Sequence, residues 1–320
     1  MSRDACDHRT RRALLQGVGA LAVAPFASAA LPARAAGASS AQAAPALAVK
    51  PVPSSGEPLP VVGLGSWITF NVGRDPVARR ACAEVMRAFF DAGGGVIDSS
   101  PMYGSSQAVI GEALARIGRA ADVFSADKVW ISPGSRGPAQ IEASRRFWNV
   151  ARFDLLQVHN LLAWEEHLPT LFAMKAAGRL RHVGVTTSEG RRHGELESIL
   201  RSQPLDFVQL TYNLVDRAAE SRLLPLAQER GIAVLANRPL RGGELPAALA
   251  RHPLPAWAGE LGCTTWAQVA LKFIVSHPAI TCAIPATTQV AHARENMAAA
   301  RGPMPDAGLR RRMAAHVDAL

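Results

Sequence analysis

The chain has 320 residues, of which 48% are hydrophobic, enough for one large core or two small ones. It carries 35 Lys and Arg against 26 Asp and Glu, a formal net charge of +9. The basic residues form no block and no nucleic-acid motif, so the charge indicates solubility or a cavity that favours anions, and we expect no nucleic-acid partner. After the N-terminal region no stretch is long and apolar enough to span a bilayer, and we expect no stable membrane insertion.

The first 35 residues have the pattern of an export signal. An Arg pair at 11–12 and a Leu pair at 14–15 precede an apolar stretch, and A-R-A at 33–35 forms a small-x-small cleavage site. The paired arginines resemble the twin-arginine signal, which directs export of folded proteins; an ordinary secretory signal with a chance Arg pair is the alternative. We therefore predict a signal over 1–35, recognition by the twin-arginine export machinery, and a periplasmic location.

Residues 36–58 are rich in Ala, Pro and Ser and are predicted to be a flexible lead-in. From residue 59 onward, short apolar runs alternate with helical patterns, as in sheets of parallel strands buried on both faces. The predicted strands are 61–65, 96–99, 123–127, 155–159, 183–187, 207–210, 233–236 and 281–284.

Helix signals separate these strands. Asp75 is an N-cap residue followed by a proline, and apolar residues then recur four apart until the glycines at 93–95. Pro225 suggests that the sixth helix begins late. The other predicted helices are 105–117, 138–151, 164–177, 189–202, 219–230, 264–276 and about 289–300.

Eight β/α units over residues 59–320 predict an α/β fold, a (β/α)8 TIM barrel. A doubly wound sheet would place G-x-G-x-x-G after its first strand. Here Gly63-Leu64-Gly65 has no third glycine and no immediate helix, so we reject a dinucleotide site of that kind.

Cysteine usage gives no sign of a disulfide framework or of a metal site. Cys6 lies in the predicted signal, which leaves Cys82, Cys263 and Cys282, and an odd number argues against a framework although one pair stays possible. There is no C-x-x-C and no Cys/His ligand spacing, so we expect no metal and three buried, inert thiols.

Four chemically distinct side chains are predicted at the carboxyl ends of strands two to four, where barrels place their chemistry. Asp98 ends the second strand with Tyr103 five residues on, Lys128 ends the third, and His159 ends the fourth. A Tyr hydroxyl is a poor acid at neutral pH unless a nearby cation stabilises its anion, and Lys128 could supply that cation while Asp98 holds it. His159 could orient a carbonyl oxygen. The set suits protonation of a carbonyl as hydride arrives at its carbon.

With these residues in this order, the chain resembles the aldo/keto reductase family from about residue 59 to 299. The motifs in order are G-L-G-S-W (63–67), D-S-S-P-M-Y-G-S-S (98–106), I-G-E-A-L (110–114), D-K-V-W (127–130), F-D-L-L-Q-V-H-N (153–160), G-R-L-R-H-V-G-V-T-T (178–187), Gln209, Tyr212-Asn213, G-I-A-V-L-A-N-R-P-L (231–240), I-P-A-T-T (284–288) and Glu295-Asn296. The resemblance implies a carbonyl reductase that uses NAD(P)H, with Tyr103 as the acid and Asp98, Lys128 and His159 completing a tetrad.

The same resemblance implies a cofactor site, with departures from the family. A hydroxyl at 186 and Gln209 match the nicotinamide contacts, but Thr187 replaces the family's Asn and Asn237 replaces an aromatic ring. Where many members place a basic residue for the 2′-phosphate of NADPH, this chain has Ala286, so NADPH is expected and NADH stays possible. The predicted cofactor residues are Thr186, Thr187, Gln209, Asn237, Arg238, Pro239, Leu240, Thr287, Thr288, His292, Glu295 and Asn296.

A mostly apolar wall of Trp67, Met102, Trp130 and Asn160 is predicted to face a small-molecule carbonyl substrate. The departures at Thr187 and Asn237 leave an alternative open, a nucleotide-binding barrel with a sensor or accessory role and little catalysis. A lyase or isomerase on the same fold is a third reading. The sequence does not indicate the oligomeric state.

Overall fold

A computed structural model describes residues 45–320 of the chain. The predicted signal and the first part of the predicted lead-in lie outside these residues. The described part begins with a two-stranded antiparallel hairpin, β1 (Val49–Pro51) and β2 (Pro58–Pro60). The prediction of a flexible lead-in up to residue 58 is therefore wrong from residue 49 onward.

Eight parallel strands follow in consecutive order around one sheet. They are β3 (Leu64–Gly65), β4 (Val96–Asp98), β5 (Phe124–Val129), β6 (Phe153–Val158), β7 (Leu180–Thr186), β8 (Phe207–Thr211), β9 (Ala233–Asn237) and β10 (Cys282–Ala283). Parallel bridges from Val62 to Ala283 and from Gly65 to Ala286 join the first strand to the last. The sheet is thus closed, and the predicted (β/α)8 barrel is confirmed.

Helices alternate with the strands and cover the outside of the barrel. They are α1 (Pro76–Asp91), α2 (Ser106–Ile117), α3 (Gly137–Trp148), α4 (Trp164–Ala176), α5 (His193–Ser202), α6 (Leu223–Glu229), α7 (Glu244–Leu249), α8 (Ala256–Glu260), α9 (Trp266–Val275), α10 (Val290–Ala298) and α11 (Ala307–Asp318). Asp75 caps α1 as predicted, accepting the N–H of Val77 at 2.8 Å, and α6 begins late, at Leu223. Helices α7, α8 and α11 were not predicted.

One glycine sets the closeness of two neighbouring helices. A Cβ on Gly111 in α2 would lie 2.0 Å from the carbonyl oxygen of Phe147 in α3. The two helix backbones can therefore approach this closely only because residue 111 has no side chain.

The hairpin covers the amino-terminal end of the barrel. Val52 and Leu59 pack in one apolar cluster with strand residues such as Phe124 and Phe207. The Lys50 ammonium, largely buried, donates to the carbonyl oxygens of His277 at 2.7 Å and Ile280 at 2.6 Å. Desolvation by burial is the main reason that the pKa of Lys50 falls to about 8. These contacts explain why the segment is ordered although it is rich in proline.

Candidate active site

A cavity of about 650 Å³ opens at the carboxyl ends of the barrel strands. Asp98, Tyr103 and His159 line it, and Lys128 lies directly behind them with no exposed side-chain area. Tyr103 and His159 stand on short 3₁₀ turns, Pro101–Tyr103 and His159–Leu161, which follow β4 and β6. Because the four predicted residues come from three adjacent parallel strands, they meet at one edge of the cavity.

Lys128 and Asp98 form a buried ion pair. The Lys128 Nζ lies 2.5 Å from Asp98 Oδ2 and donates to the carbonyl oxygen of Ser99 at 2.8 Å. Burial by itself lowers the pKa of Lys128, but the charge and hydrogen bond of Asp98 together with the charges of Tyr103 and Asp127 outweigh burial, and the pKa lies above its ordinary value. A fixed positive charge is therefore held inside the barrel.

Tyr103 stands next to that charge. Lys128 Nζ lies 5.1 Å from the centre of the Tyr103 ring. Burial raises the pKa of the Tyr103 hydroxyl, and the neighbouring Lys128 partly counteracts the rise. The hydroxyl is thus protonated at neutral pH, and the cation beside it stabilises the anion that remains after proton donation.

His159 packs edge-on against Tyr103, with the ring centres 5.7 Å apart. Its Nδ1 lies 2.8 Å from the hydroxyl oxygen of Ser100, which also accepts the N–H of Met102. This arrangement favours a Ser100 hydroxyl that donates to Nδ1, and hence the tautomer with its proton on Nε2. Burial, and then the charge of Lys128, lower the pKa of His159 to about 3, so the ring is neutral and Nε2 can donate without carrying charge.

Two glutamines complete the surroundings of Asp98. Gln209 Nε2 donates to Asp98 Oδ1 at 2.8 Å, and Gln157 Nε2 lies 3.4 Å from the same oxygen. Gln209 was predicted to contact cofactor. Gln209 lines the cavity, but its amide nitrogen is hydrogen-bonded to the Asp98 carboxylate, so the side chain orients Asp98.

A second buried carboxyl group, which was not predicted, lies next to Lys128. Asp127 Oδ1 accepts the N–H of Lys128 at 2.7 Å, and Oδ2 accepts Gln107 Nε2 at 2.6 Å. Its complete burial raises the pKa of Asp127 to about 7. In the D-K-V-W motif only the lysine was predicted to be functional, and nothing in the local sequence shows that Asp127 faces helices α2 and α3.

The cavity extends from the tetrad across the ends of β7 to β10. All but one of the predicted cofactor residues line it, namely Thr186, Gln209, Asn237, Arg238, Pro239, Leu240, Thr287, Thr288, His292, Glu295 and Asn296. The exception is Thr187, which is buried outside the lining, with its hydroxyl oxygen making no hydrogen bond. Successive side chains of a strand point to opposite faces, so Thr187 turns away where Thr186 turns in.

Asn237 lines the cavity with its amide already engaged. Its Oδ1 accepts the hydroxyl of Thr211 at 2.6 Å, and its Nδ2 donates to the carbonyl oxygen of Thr187 at 2.8 Å. The side chain therefore ties together the ends of β7, β8 and β9. Glu295 is likewise bonded, by the hydroxyl of Thr265.

The donor groups of this region fit a phosphate-bearing dinucleotide. Helix α10 begins with no side-chain cap, so the N–H groups of its first turn remain available to an anion. Thr287, Thr288, His292 and Arg238 line the same cavity. These residues could hold the phosphates and the adenosine of such a cofactor.

Of the predicted substrate residues, Trp67, Met102 and Asn160 line the cavity. Trp130 is outside the lining and packs beside His159, with the ring centres 6.4 Å apart and the ring planes tilted by 57°. Trp67, Met102 and Trp130 are each about 40% exposed, which is unusual for large apolar side chains and gives the mouth an apolar rim. Ile68 extends the rim with a backbone φ of 64°, a strained value for a β-branched residue.

Other residues that line the cavity were not predicted to contact cofactor or substrate. They are Gly65, Ser66, Ile68, Thr69, Ser188, Glu189, Arg191, Gly242, Gly243, Pro246, Ala247, Ala267, Ile284, Pro285 and Ala286. Gly65 and Ser66 belong to the G-L-G-S-W motif, and residues 284–286 belong to I-P-A-T-T, so these five carried a signal. Pro246, Ala247 and Ala267 lie on helices α7 and α9, and no motif marks them.

The family model described as "Aldo/keto reductase family" matches residues 61–311. A methylglyoxal reductase of Escherichia coli, YeaE, is 31% identical over 247 residues, covering 75% of this chain and 85% of the relative. An NADH-specific methylglyoxal reductase of the same organism is 26% identical over 62% of this chain and 68% of the relative. A crystal structure of a Klebsiella pneumoniae aldo/keto reductase in complex with NADP and acetate superposes with a TM-score of 0.68 and 25% identity, covering 82% of this chain and 92% of that one.

The fold and the site thus define an oxidoreductase that uses a nicotinamide dinucleotide. The chain belongs to the aldo/keto reductase family. It catalyses NAD(P)H-dependent reduction of a carbonyl group, and the sensor or accessory alternative finds no support.

The remaining expectations concern metals, thiols and membranes. Within residues 45–320, no group of three or more His, Cys, Asp or Glu side chains could hold a metal ion. Cys82, Cys263 and Cys282 are free and buried. Over the same residues, no helix has both the length and the apolar character needed to cross a bilayer.

Proposed function

We propose that Tyr103 is the proton donor of this reductase. Lys128, Asp98 and His159 are the groups that enable it to donate a proton to the carbonyl oxygen. The observation that carries the proposal is the Lys128–Asp98 pair at 2.5 Å, with its ammonium 5.1 Å from the Tyr103 ring. A cofactor, when bound, supplies the hydride for the carbonyl carbon. Every other requirement of the reaction falls to side chains of the chain itself.

These side chains act on the carbonyl oxygen. The Nε2–H of His159 donates to that oxygen and fixes its direction, while the Tyr103 hydroxyl delivers a proton to it. The Lys128 charge stabilises the tyrosinate that is left, and Asp98, held by Gln209, keeps the ammonium in place. His159 is neutral at the pH of the reaction because its pKa is about 3, so it polarises the oxygen without competing for the role of acid.

NADPH is the cofactor that we propose, with NADH as the alternative. Thr186 and Asn237 would lie toward the nicotinamide, while Pro239 and Leu240 would lie along its ribose side. The hydroxyls of Thr287 and Thr288 together with His292 would hold a 2′-phosphate, although no Lys or Arg stands at 286 to 289. The ratio of the dissociation constants of NADPH and NADH, measured by titration calorimetry, decides between the two.

Small 2-oxoaldehydes such as methylglyoxal are the substrates that we propose. Two relatives are named as methylglyoxal reductases, and the cavity that holds Tyr103 has an apolar boundary formed by Trp67 and Met102. We expect kcat/KM to be higher for methylglyoxal than for propanal, which matches it in size but lacks the second carbonyl. Equal values for the two compounds would remove this substrate assignment.

Replacing Tyr103 by Phe tests the assignment of the acid. Tyr103→Phe should bind NADPH as the wild type does and lose about 10²–10⁴ in kcat. The chain has one other tyrosine, Tyr212, which is buried and bonded to Glu220 and Arg310 away from the cavity. Tyr212→Phe is therefore the matched control and should keep its turnover. Wild-type turnover in Tyr103→Phe would show that another group is the acid.

Export by the twin-arginine route to the periplasm is a further part of the proposal. It is supported by the Arg pair at 11–12, the apolar stretch after it and the A-R-A site at 33–35. Expressing the full chain with Lys at both positions 11 and 12 should leave the protein in the cytoplasm, whereas Arg9→Lys should not. Unchanged export of the double variant would indicate an ordinary secretory signal.

A further inference from the structure

Two arginines in the cavity share one glutamate. Arg238 Nη1 lies 3.0 Å from Glu189 Oε1, and Arg191 Nη2 lies 2.9 Å from Glu189 Oε2. All three residues line the cavity that holds Tyr103. Each guanidinium thus contacts a different oxygen of the same carboxylate, which is the arrangement of a site that binds a small anion between two cations.

These contacts connect loops from separate strands. Glu189 and Arg191 lie on the loop after β7, and Arg238 lies on the loop after β9. The Arg238 guanidinium also stands 6.0 Å from the centre of the Trp67 ring, on the loop after β3. The ion pair therefore belongs to a set of contacts that spans the cavity mouth.

The backbone holds Glu189 and Arg238 in place. Glu189 has φ 60° and Arg238 has φ 49°, a region that non-glycine residues rarely adopt. The Glu189 N–H is anchored by Thr211 Oγ1 at 2.8 Å, and that same threonine is bonded to Asn237. Strained backbone that is held by neighbouring side chains is typical of functional loops, because relaxation would otherwise remove it.

We propose that Arg191 and Arg238 form the binding site for the diphosphate of the dinucleotide, and that Glu189 occupies this site as a competing internal anion until the cofactor arrives. The proposal rests on the proposed function, since it takes the ligand to be a nicotinamide dinucleotide. A diphosphate carries two charges and several oxygens, so it satisfies both guanidinium groups better than one carboxylate does. Glu189 then lowers cofactor affinity and speeds cofactor release.

The test measures binding rather than turnover. ADP-ribose is the main probe because it carries the diphosphate without the nicotinamide or the 2′-phosphate, and NADPH and NADH are titrated beside it by calorimetry. Glu189→Gln should bind all three about three- to tenfold more tightly, the gain expected from removing two exposed ion pairs. Its binding should also weaken more steeply with added salt, because two arginines without a counter-charge attract the anion.

Glu142 offers a matched control. It also pairs with two arginines, Arg145 and Arg146, with nearly the same side-chain exposure as Glu189, but it lies on α3 outside the cavity. Glu142→Gln should leave every dissociation constant unchanged. Arg191→Gln and Arg238→Gln should each weaken ADP-ribose binding, and adding Glu189→Gln to the double arginine variant should change nothing further.

Four results would overturn the proposal. Unchanged ADP-ribose affinity in Glu189→Gln would show that the carboxylate does not compete, and an effect that persists without both arginines would show that it acts elsewhere. An effect on NADPH alone would assign the arginines to the 2′-phosphate, and an effect only on the KM of acidic carbonyl substrates would assign them to substrate. Binding of nucleotides without turnover would remove the proposed function yet leave the diphosphate site standing.

Discussion

The sharpest prediction concerns the stability of the barrel when Lys128 is replaced by Met. The side chains of Lys128 and Asp98 are 0% and 3% exposed, and their charged atoms are 2.5 Å apart. Met approximates the length of the lysine stem, so the substitution removes the charge with little change in packing. It leaves the Asp98 carboxylate inside the barrel with only glutamine amides as partners.

The expected cost follows from that isolation. Breaking a buried pair by removing one partner costs about 3–5 kcal/mol, because the remaining charge is neither solvated nor compensated. For a domain of this size the melting temperature should fall by roughly 10 °C. Adding Asp98→Asn removes the isolated charge, so the double variant should recover more than half of the loss.

The assay is thermal unfolding followed by circular dichroism for the wild type, Lys128→Met and the double variant. At pH 7.5 the melting temperature of Lys128→Met should lie roughly 10 °C below that of the wild type, and that of the double variant should lie between the two. The reasoning fails if Lys128→Met melts within about 2 °C of the wild type at pH 7.5, or if the double variant is less stable than the single one.

Three other substitutions test separate parts of the structure. Asp127→Asn should be neutral or destabilising near pH 4 and become relatively stabilising as the pH rises to 7.5. The reason is that folding raises the pKa of Asp127 from 3.8 to about 7, so the free energy of unfolding of the wild type falls by on the order of 4 kcal/mol over that interval. If the free energies of unfolding of the two proteins changed in parallel with pH, this reasoning would be contradicted. Lys50→Met should leave the carbonyl oxygen of Ile280 unpaired and the carbonyl oxygen of His277 with the Ile280 N–H alone, and it should speed amide hydrogen exchange in residues 49–60. Unaltered exchange there would show that the lysine does not stabilise the hairpin. Gly111→Ala should lower stability by about 3 kcal/mol, because its methyl group would meet the carbonyl oxygen of Phe147, and an unchanged melting temperature would mean that the helices separate freely.

The barrel could be predicted because its signals are local and repeated. Each apolar run is short and lies between helical patterns, so a shift of two residues in any boundary changes nothing in the topology. Strand boundaries were predicted less well where the first and last strands of the barrel meet. There β3 and β10 have two residues each, and most of the closure is made by single bridges. Such bridges depend on how the sheet curls, which the sequence of either strand does not contain.

The hairpin and the last helix were missed for different reasons. Pro51, Pro58 and Pro60 argued against strands, yet a two-stranded ribbon tolerates prolines where no N–H is needed by a partner. Its order comes from Lys50, whose partners lie more than 200 residues further along the chain, and from packing on strand residues such as Phe124 and Phe207. Neither kind of contact is local in the sequence. Helix α11 carried a readable signal, the N-cap Asp306, that was not used.

Within the site, the contacts of Lys128 with Asp98 and with Tyr103 were predicted, whereas most of the other interactions were not. Thr186 and Thr187 follow the alternation of a strand, so a period of two would have excluded Thr187 from the cavity. The hydrogen bond of Gln209 to Asp98 joins strands 111 residues apart, and that of Thr211 to Asn237 depends on the register of two neighbouring strands. The ion pairs of Glu189 depend on loop conformation, which no motif describes.

The hairpin that covers the amino-terminal end of the barrel also determines the side from which ligands enter the enzyme. With Val52 and Leu59 packed into that end, molecules reach Tyr103 from the opposite end, past Trp67 and Met102. Cofactor and carbonyl compound then enter through the same cavity mouth, and the ligand that binds first narrows this mouth for the second. Steady-state kinetics should accordingly follow an obligatory sequence, in which the larger ligand is first to enter and last to leave.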